Sequence, residues 1–184
     1  MEIMLVLAIP LAGGIILALA GHHRRAPEVN SVFSFSTFVA AMVLAVNVVD
    51  RGSMMVWDEL FFVDPFNVFL VALTAFVSFT TTLFSRPYMR NEQERGRLTP
   101  NLMRLYHSMY QVFVFTMLLA LLTNNIGILW VAMEGATLAT VLLVSLYRTP
   151  ASLEAAWKYF ILCGVGIAQA LFGDRKSTRL NSSH

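Results

Sequence analysis

Glu134 is the only charged residue in a nearly unbroken apolar stretch of 22 residues, IGILWVAMEGATLATVLLVSLY, at positions 126–147. As a helix rising about 1.5 Å per residue, this stretch would cross the roughly 30 Å hydrocarbon core of a bilayer. A carboxyl group near its middle costs about 2.5–3.5 kcal/mol to insert, and such groups are typical of proton or ion pathways. The alternative is a purely structural contact between helices, with the carboxyl protonated or hydrogen-bonded. The depth of Glu134 favours the pathway role.

Lys158 is the second candidate for a proton relay. Glu154 precedes it by four residues, which is the favourable order for an ion pair along one helix. Lys158 would lie about 12 Å into its helix and Glu134 about 20 Å into its own, so a direct pair between them needs stretched side chains or a bridging water. The spacing leaves both interpretations open: a relay partner of Glu134, or a lysine paired with Glu154 that reaches towards the membrane surface.

His107, Glu154 and Asp64 are secondary candidates for polar or relay roles. His107 falls one turn into a predicted fourth helix, at the depth of the membrane interface, where a structural role is favoured over proton transfer. Asp64 is followed by Pro65, and this pair is typical of a helix start. The capping role is therefore favoured over a relay role for Asp64.

The composition places these residues in a membrane protein. Hydrophobic residues make up 57% of the chain and charged residues 13%, and the mean hydropathy is +0.66. The single cysteine, Cys163, lies in an apolar run, so neither a disulfide framework nor Cys/His metal spacing is present. No nucleotide-binding or zinc motif occurs, and nothing indicates nucleic acid binding or an active site within this chain.

Six segments have membrane-spanning length, which predicts an all-α polytopic membrane protein with six transmembrane helices. A polar connection over residues 50–60 and a solvated loop or short surface helix over 85–104 are predicted between them. The segments are 3–20, 29–48, 64–84, 105–122, 126–147 and 151–172.

Arginines in the loops predict the orientation. With six spans, one side of the membrane receives eight arginines and the other receives only Arg51, which places the first side in the cytoplasm and the N-terminus outside. The eight are Arg24, Arg25, Arg86, Arg90, Arg95, Arg97, Arg104 and Arg148.

Residues 174–184, DRKSTRLNSSH, break abruptly from the membrane pattern. They match the in-frame translation of a sequencing-library adapter, so we interpret them as a non-native tail and exclude them from the fold. The formal net charge of +2 then falls to zero, with ten basic and ten acidic residues. The parent protein is expected to be longer.

Residues 124–173, NNIGILWVAMEGATLATVLLVSLYRTPASLEAAWKYFILCGVGIAQALFG, resemble the fifth and sixth helices of antiporter-like membrane subunits. This superfamily is shared by respiratory complex I, Mrp-type sodium/proton antiporters and membrane-bound NiFe-hydrogenases, and the hydrogenase-4 component F and formate hydrogenlyase type is the best match. The resemblance implies a fold of about fourteen helices with two inverted five-helix repeats, each with a broken helix and a charged relay. Residues 1–104 would be lead-in helices and residues 105–173 the start of the proton-translocating domain.

The resemblance also implies roles for individual residues. Glu134 matches the glutamate of the family's fifth helix, thought to modulate the protonation of a lysine on a later, broken helix that this chain does not contain. Lys158 matches the lysine of the sixth helix. No cofactor is expected in this subunit, while a NiFe centre, iron–sulfur clusters or quinone would belong to its partners.

The expected partners are other membrane subunits, a peripheral hydrogenase or oxidoreductase arm, and the lipid of a bacterial or archaeal inner membrane. The alternatives are a complex I or Mrp-type antiporter subunit, or a non-transporting anchor for a catalytic arm.

Overall fold

Apolar helices of membrane-spanning length make up most of the protein. The computed structural model describes residues 2–20, 25–57, 60–96 and 98–181, without the side chains of residues 20 and 174–181. Six helices are long and apolar enough to cross a membrane, which confirms the predicted polytopic architecture. They are α1 Glu2–Ala20, α2 Ala26–Arg51, α3 Pro65–Glu94, α4 Pro100–Leu122, α5 Ile126–Val144 and α6 Pro150–Asn181.

Side-chain caps stand at the start of several of these helices, including α3, α4 and α5. Asp64 caps α3, where its carboxylate accepts a hydrogen bond of 2.6 Å from the backbone N–H of Asn67. Thr99 caps α4, and Asn125 caps α5 through the N–H groups of the first turn. Each cap satisfies a donor that the helix itself leaves unpaired. The structure therefore gives Asp64 the capping role that its position before Pro65 predicted.

Replacing Asp64 by Ala is expected to destabilise the protein by about 1 kcal/mol, because the Asn67 N–H would lose its acceptor. Unfolding of Asp64→Ala in a denaturing detergent, compared with that of Asp64→Asn, measures this effect. Asparagine keeps the capping oxygen without the charge. If Asp64→Asn loses as much stability as Asp64→Ala, charge and not capping is the contribution of Asp64.

The segment 85–104 differs from the sequence-based expectation of a loop or short surface helix. Helix α3 continues through Pro87 to Glu94, and α4 already begins at Pro100. Ion pairs between α2 and α3 stabilise this extension of α3: Glu28 of α2 accepts from Arg86, at 2.9 Å, and from Arg90. Met89 is also buried on this part of α3.

Of the eight arginines used to predict the orientation, Arg24 and Arg97 lie outside the described residues.

A short β-hairpin replaces the predicted polar connection at the other end of the bundle. Strands β1 (Met54–Val56) and β2 (Phe61–Val63) pair antiparallel, and the Phe61 and Val63 side chains are buried. The backbone N–H of Asn124 donates to the carbonyl of Leu60 at 2.8 Å, which ties the hairpin to the turn between α4 and α5. The hairpin thus closes one end of the helical bundle.

Helices α1–α4 form a packed bundle, and α5 and α6 are added to its side. Helix α4 packs against α1 and α5, α2 packs against α1 and α3, and α6 packs against α5. The apolar core lies towards the hairpin end and includes Leu44, Val71, Leu118 and Leu122. We call the opposite end, where Glu28 meets Arg86 and Arg90, the arginine end. The predicted domain boundary at 104/105 falls inside α4.

The last helix has few partners within the described chain. Only 6% of the span from Pro150 to Gly173 is buried, compared with 44% of α4. The backbone of α6 continues as a helix into the segment interpreted as an adapter-derived tail, as far as Asn181. Residues 182–184 of that segment lie outside the described residues.

Candidate functional site

Glu134 lies on the side of α5 that faces α6. Leu138, Val141 and Ser145 of α5 line a cleft of about 310 Å³ together with residues of α6. Glu134 precedes Leu138 by four residues, so it continues the same stripe of α5 one turn closer to the hairpin end. Its side chain is half-buried. Glu134 therefore lies at mid-span on the stripe of α5 that lines this cleft.

The carboxylate of Glu134 makes no hydrogen bond or ion pair with any residue that the structure describes. Its position is nevertheless fixed by the neighbouring residue. A Cβ atom at Gly135 would lie only 2.9 Å from Cγ2 of Thr116, so α5 and α4 approach each other closely at this point. Small residues at such contacts allow helix backbones to pack tightly in membranes. The close contact at Gly135 thus fixes the position of Glu134 on α5, while the carboxylate has no partner among the described residues.

Lys158 pairs with Glu154, as the four-residue spacing allowed. The Lys158 Nζ lies 2.5 Å from Oε1 of Glu154, and the two side chains are 71% and 66% exposed. Helical geometry places Lys158 about 200° around α6 from Ala156, which faces α5. Lys158 therefore projects away from α5.

Glu134 and Lys158 are also separated along the helix axes. Tyr159 of α6 lies beside Thr140 of α5, so Lys158 sits at about the level of residues 141–143. At 1.5 Å per residue this is roughly 10–13 Å closer to the arginine end than Glu134. Of the two interpretations left open by the sequence, the described structure contains the Glu154 pair and not a direct pair with Glu134. The relay roles of both residues stay predictions.

His107 lies further along its helix than the sequence indicated. Because α4 begins at Pro100 and not near Leu105, His107 is two turns into the helix and its exposed fraction is 1%. Neither ring nitrogen has a hydrogen-bond partner among the described residues, and Oε1 of Gln111 has none either. The helix thus starts earlier than predicted and His107 is buried against protein, while its depth relative to the membrane interface stays a prediction.

A hydrogen-bonded polar layer adjoins His107 in the middle of the bundle. Nε2 of Gln111 donates to Oδ1 of Asn30 at 2.7 Å and contacts Oγ of Ser34 at 3.0 Å, and Ser34 contacts the Thr82 hydroxyl at 3.1 Å. All four side chains are at most 1% exposed. Sequence reasoning did not identify this layer as a site. The sequence pattern that could have predicted it is the four-residue spacing of polar residues within apolar spans, at 30 and 34 and at 107 and 111.

Within the described ranges, no three His, Cys, Asp or Glu side chains lie close enough together to hold a metal ion. Asp64 is occupied as a helix cap at the hairpin end. Among the described residues, the candidates for acid–base chemistry are Glu134, the Glu154–Lys158 pair and His107.

Similarity to known proteins extends over almost the whole chain. No protein-family model matches it. It is 48% identical over 168 residues to the hydrogenase-4 component F homolog of Methylacidiphilum infernorum (isolate V4), which covers 91% of the chain and 34% of that protein. It is 29% identical over 110 residues to the NADH-quinone oxidoreductase subunit L of Buchnera aphidicola subsp. Baizongia pistaciae (strain Bp), covering 59% of the chain and 16% of that protein.

The chain thus spans about a third of the length of the first relative and a smaller part of the second. The names of both relatives agree with the resemblance carried by residues 124–173. The chain is thus similar to antiporter-like membrane subunits, and among them to a hydrogenase-4 component F homolog.

Proposed function

We propose that the protein is a membrane subunit of a redox-driven, proton-translocating complex of the hydrogenase-4 or formate hydrogenlyase type. The observation that carries this proposal is the 48% identity to a hydrogenase-4 component F homolog over 91% of the chain. Glu134 agrees with it, because a half-buried carboxyl group in mid-span has no role in a simple membrane anchor.

In the proposed mechanism, Glu134 controls the charge of a lysine in a later helix of the longer protein. A carboxylate facing a buried amine stabilises the ammonium form, and moving or neutralising the carboxylate favours release of the proton. Electron transfer in a peripheral arm would drive this change. The residues of this chain hold and position the carboxyl group, while the redox centres belong to partner subunits.

The partners we propose are further membrane subunits and a peripheral hydrogenase arm. The exposed surface of α6 offers room for such neighbours, since only 6% of this span is buried within the described chain. We place the complex in the inner membrane of a bacterium or archaeon, with the arginine end in the cytoplasm, because basic residues are retained on that side.

A second candidate is a subunit of a quinone-reducing complex of the complex I type. The 29% identity to an NADH-quinone oxidoreductase subunit L supports it. An Mrp-type antiporter is the related alternative in which ion exchange needs no redox partner. The electron donor and acceptor distinguish these three possibilities.

Everted membrane vesicles from the source organism test the proposal. Proton uptake driven by a hydrogen-evolving reaction is expected to disappear when the gene is deleted, while hydrogenase activity in detergent persists. Uptake driven only by NADH and quinone would favour the complex I type. Sodium-driven proton exchange without any electron donor would favour the Mrp type, and unchanged uptake on deletion would leave only an anchor.

A further inference from the structure

The α1–α4 bundle contains a buried polar site that is separate from Glu134. At its centre is His107, with an exposed fraction of 1% and no protein partner for either ring nitrogen among the described residues. One turn further along α4, Oε1 of the fully buried Gln111 is unpartnered as well. Because residues four apart lie on the same face of a helix, the His107 ring and the Gln111 amide share one face of α4.

Leaving such atoms dry would be costly. A buried polar atom without a hydrogen bond costs about 1–3 kcal/mol, and most such atoms in proteins are satisfied by protein or by water. The surrounding protein groups are already committed: Asn30 and Ser34 accept from Gln111, and the Ser108 hydroxyl donates to the carbonyl of Gly14 at 2.9 Å. A ligand that can both donate and accept hydrogen bonds is required, and water has this property.

Towards the arginine end, the site is bordered by Glu28 of α2. Glu28 precedes Asn30, the partner of Gln111, by two residues, and its side chain is 35% exposed. Its Oε1 accepts from Arg86 and Arg90, whereas its Oε2 is buried without a partner among the described residues. The Tyr106 ring lies beside His107, with 5.1 Å between the ring centroids.

We propose that His107, Gln111 and Glu28 line a hydrated site, at which the His107 imidazole exchanges protons with water from the arginine end. The apolar core with Leu44, Val71 and Leu118 lies between this site and the hairpin end, so the site reaches only part of the way through the bundle. It is independent of the proposed role of Glu134, because its three residues belong to α2 and α4 and none belongs to α5 or α6.

Hydrogen–deuterium exchange at the C2 carbon of histidine, followed by mass spectrometry, tests this proposal. The experiment uses the full-length protein in its native complex in lipid nanodiscs. The exchange rate of a histidine C2 proton rises with pH to a maximum. For His107 we expect this maximal rate to stay within about tenfold of that of a histidine in a short unstructured peptide, since exchange requires water and a transient proton on the ring. A rate slower by tenfold or more would mean a dry ring and would overturn the proposal.

Two variants locate the water. Gln111→Leu keeps the side-chain size but removes the amide, and is expected to slow exchange at His107 at least about threefold. Thr37→Val is the matched control: Thr37 is equally buried on α2, but its hydroxyl bonds the carbonyl of Phe33 within its own helix, at 2.9 Å. An unchanged rate in Gln111→Leu, or an equal slowing in Thr37→Val, would contradict the assigned site. The wild-type rate alone decides hydration if Gln111→Leu fails to fold.

Discussion

Glu134→Gln in the full-length protein is expected to reduce redox-coupled proton uptake at least about tenfold, because glutamine cannot ionise at any stage of the cycle. The substitution keeps the size and shape of the side chain. Glu134 makes no hydrogen bond or ion pair with the described residues, so assembly should be unaffected. Proton uptake by everted vesicles, divided by the rate of electron transfer, measures the effect. Loss of uptake with retained electron transfer is the expected result.

Glu94→Gln is the matched control for this experiment. It makes the same chemical change, but Glu94 is exposed at the end of α3, outside the apolar part of the span. Its uptake ratio is expected to equal that of the wild type. If Glu134→Gln also retains the wild-type ratio, Glu134 has no part in translocation and the structural interpretation of this carboxyl group is correct.

The sequence predicted the parts of the fold that depend on local patterns. Apolar runs of sufficient length specify all six spans, since the bilayer sets both their length and their composition. The Asp64–Pro65 pair marked the start of α3. The same signal at Thr99–Pro100 was present but was not used for α4, and this omission moved His107 from two turns into the helix to only one.

The rest depended on contacts between distant residues. The extension of α3 past Pro87 rests on Glu28, which is almost sixty positions earlier and binds Arg86 and Arg90. The partner of Lys158 could not be chosen from spacing, because the choice depends on which face of α6 packs against α5. The hairpin likewise contacts a distant part of the chain, since the Leu60 carbonyl accepts from Asn124 in the turn after α4.

Gly135→Leu is expected to destabilise the protein by roughly 1–3 kcal/mol, because a larger side chain must push α5 away from α4. Even a Cβ atom at this position would lie 2.9 Å from Cγ2 of Thr116. The Thr116 side chain is not free to turn aside, since its hydroxyl donates to the carbonyl of Phe113 at 2.9 Å. Unfolding in a mixed micelle with increasing denaturing detergent measures the loss. Because Glu134 is the adjacent residue, the same displacement should also lower coupled proton uptake.

A double-mutant cycle attributes this loss to the contact with Thr116. Gly135→Ala introduces only the clashing Cβ, and its gain in helix propensity of about 1 kcal/mol works against the clash. Thr116→Ser removes the methyl group but keeps the hydroxyl that binds Phe113. Gly135→Ala should therefore be more stable in the Thr116→Ser background than in the wild type, since only the propensity gain then remains. Equal effects of Gly135→Ala in both backgrounds would show that the α4–α5 contact does not depend on the glycine, and that Glu134 is positioned by other residues.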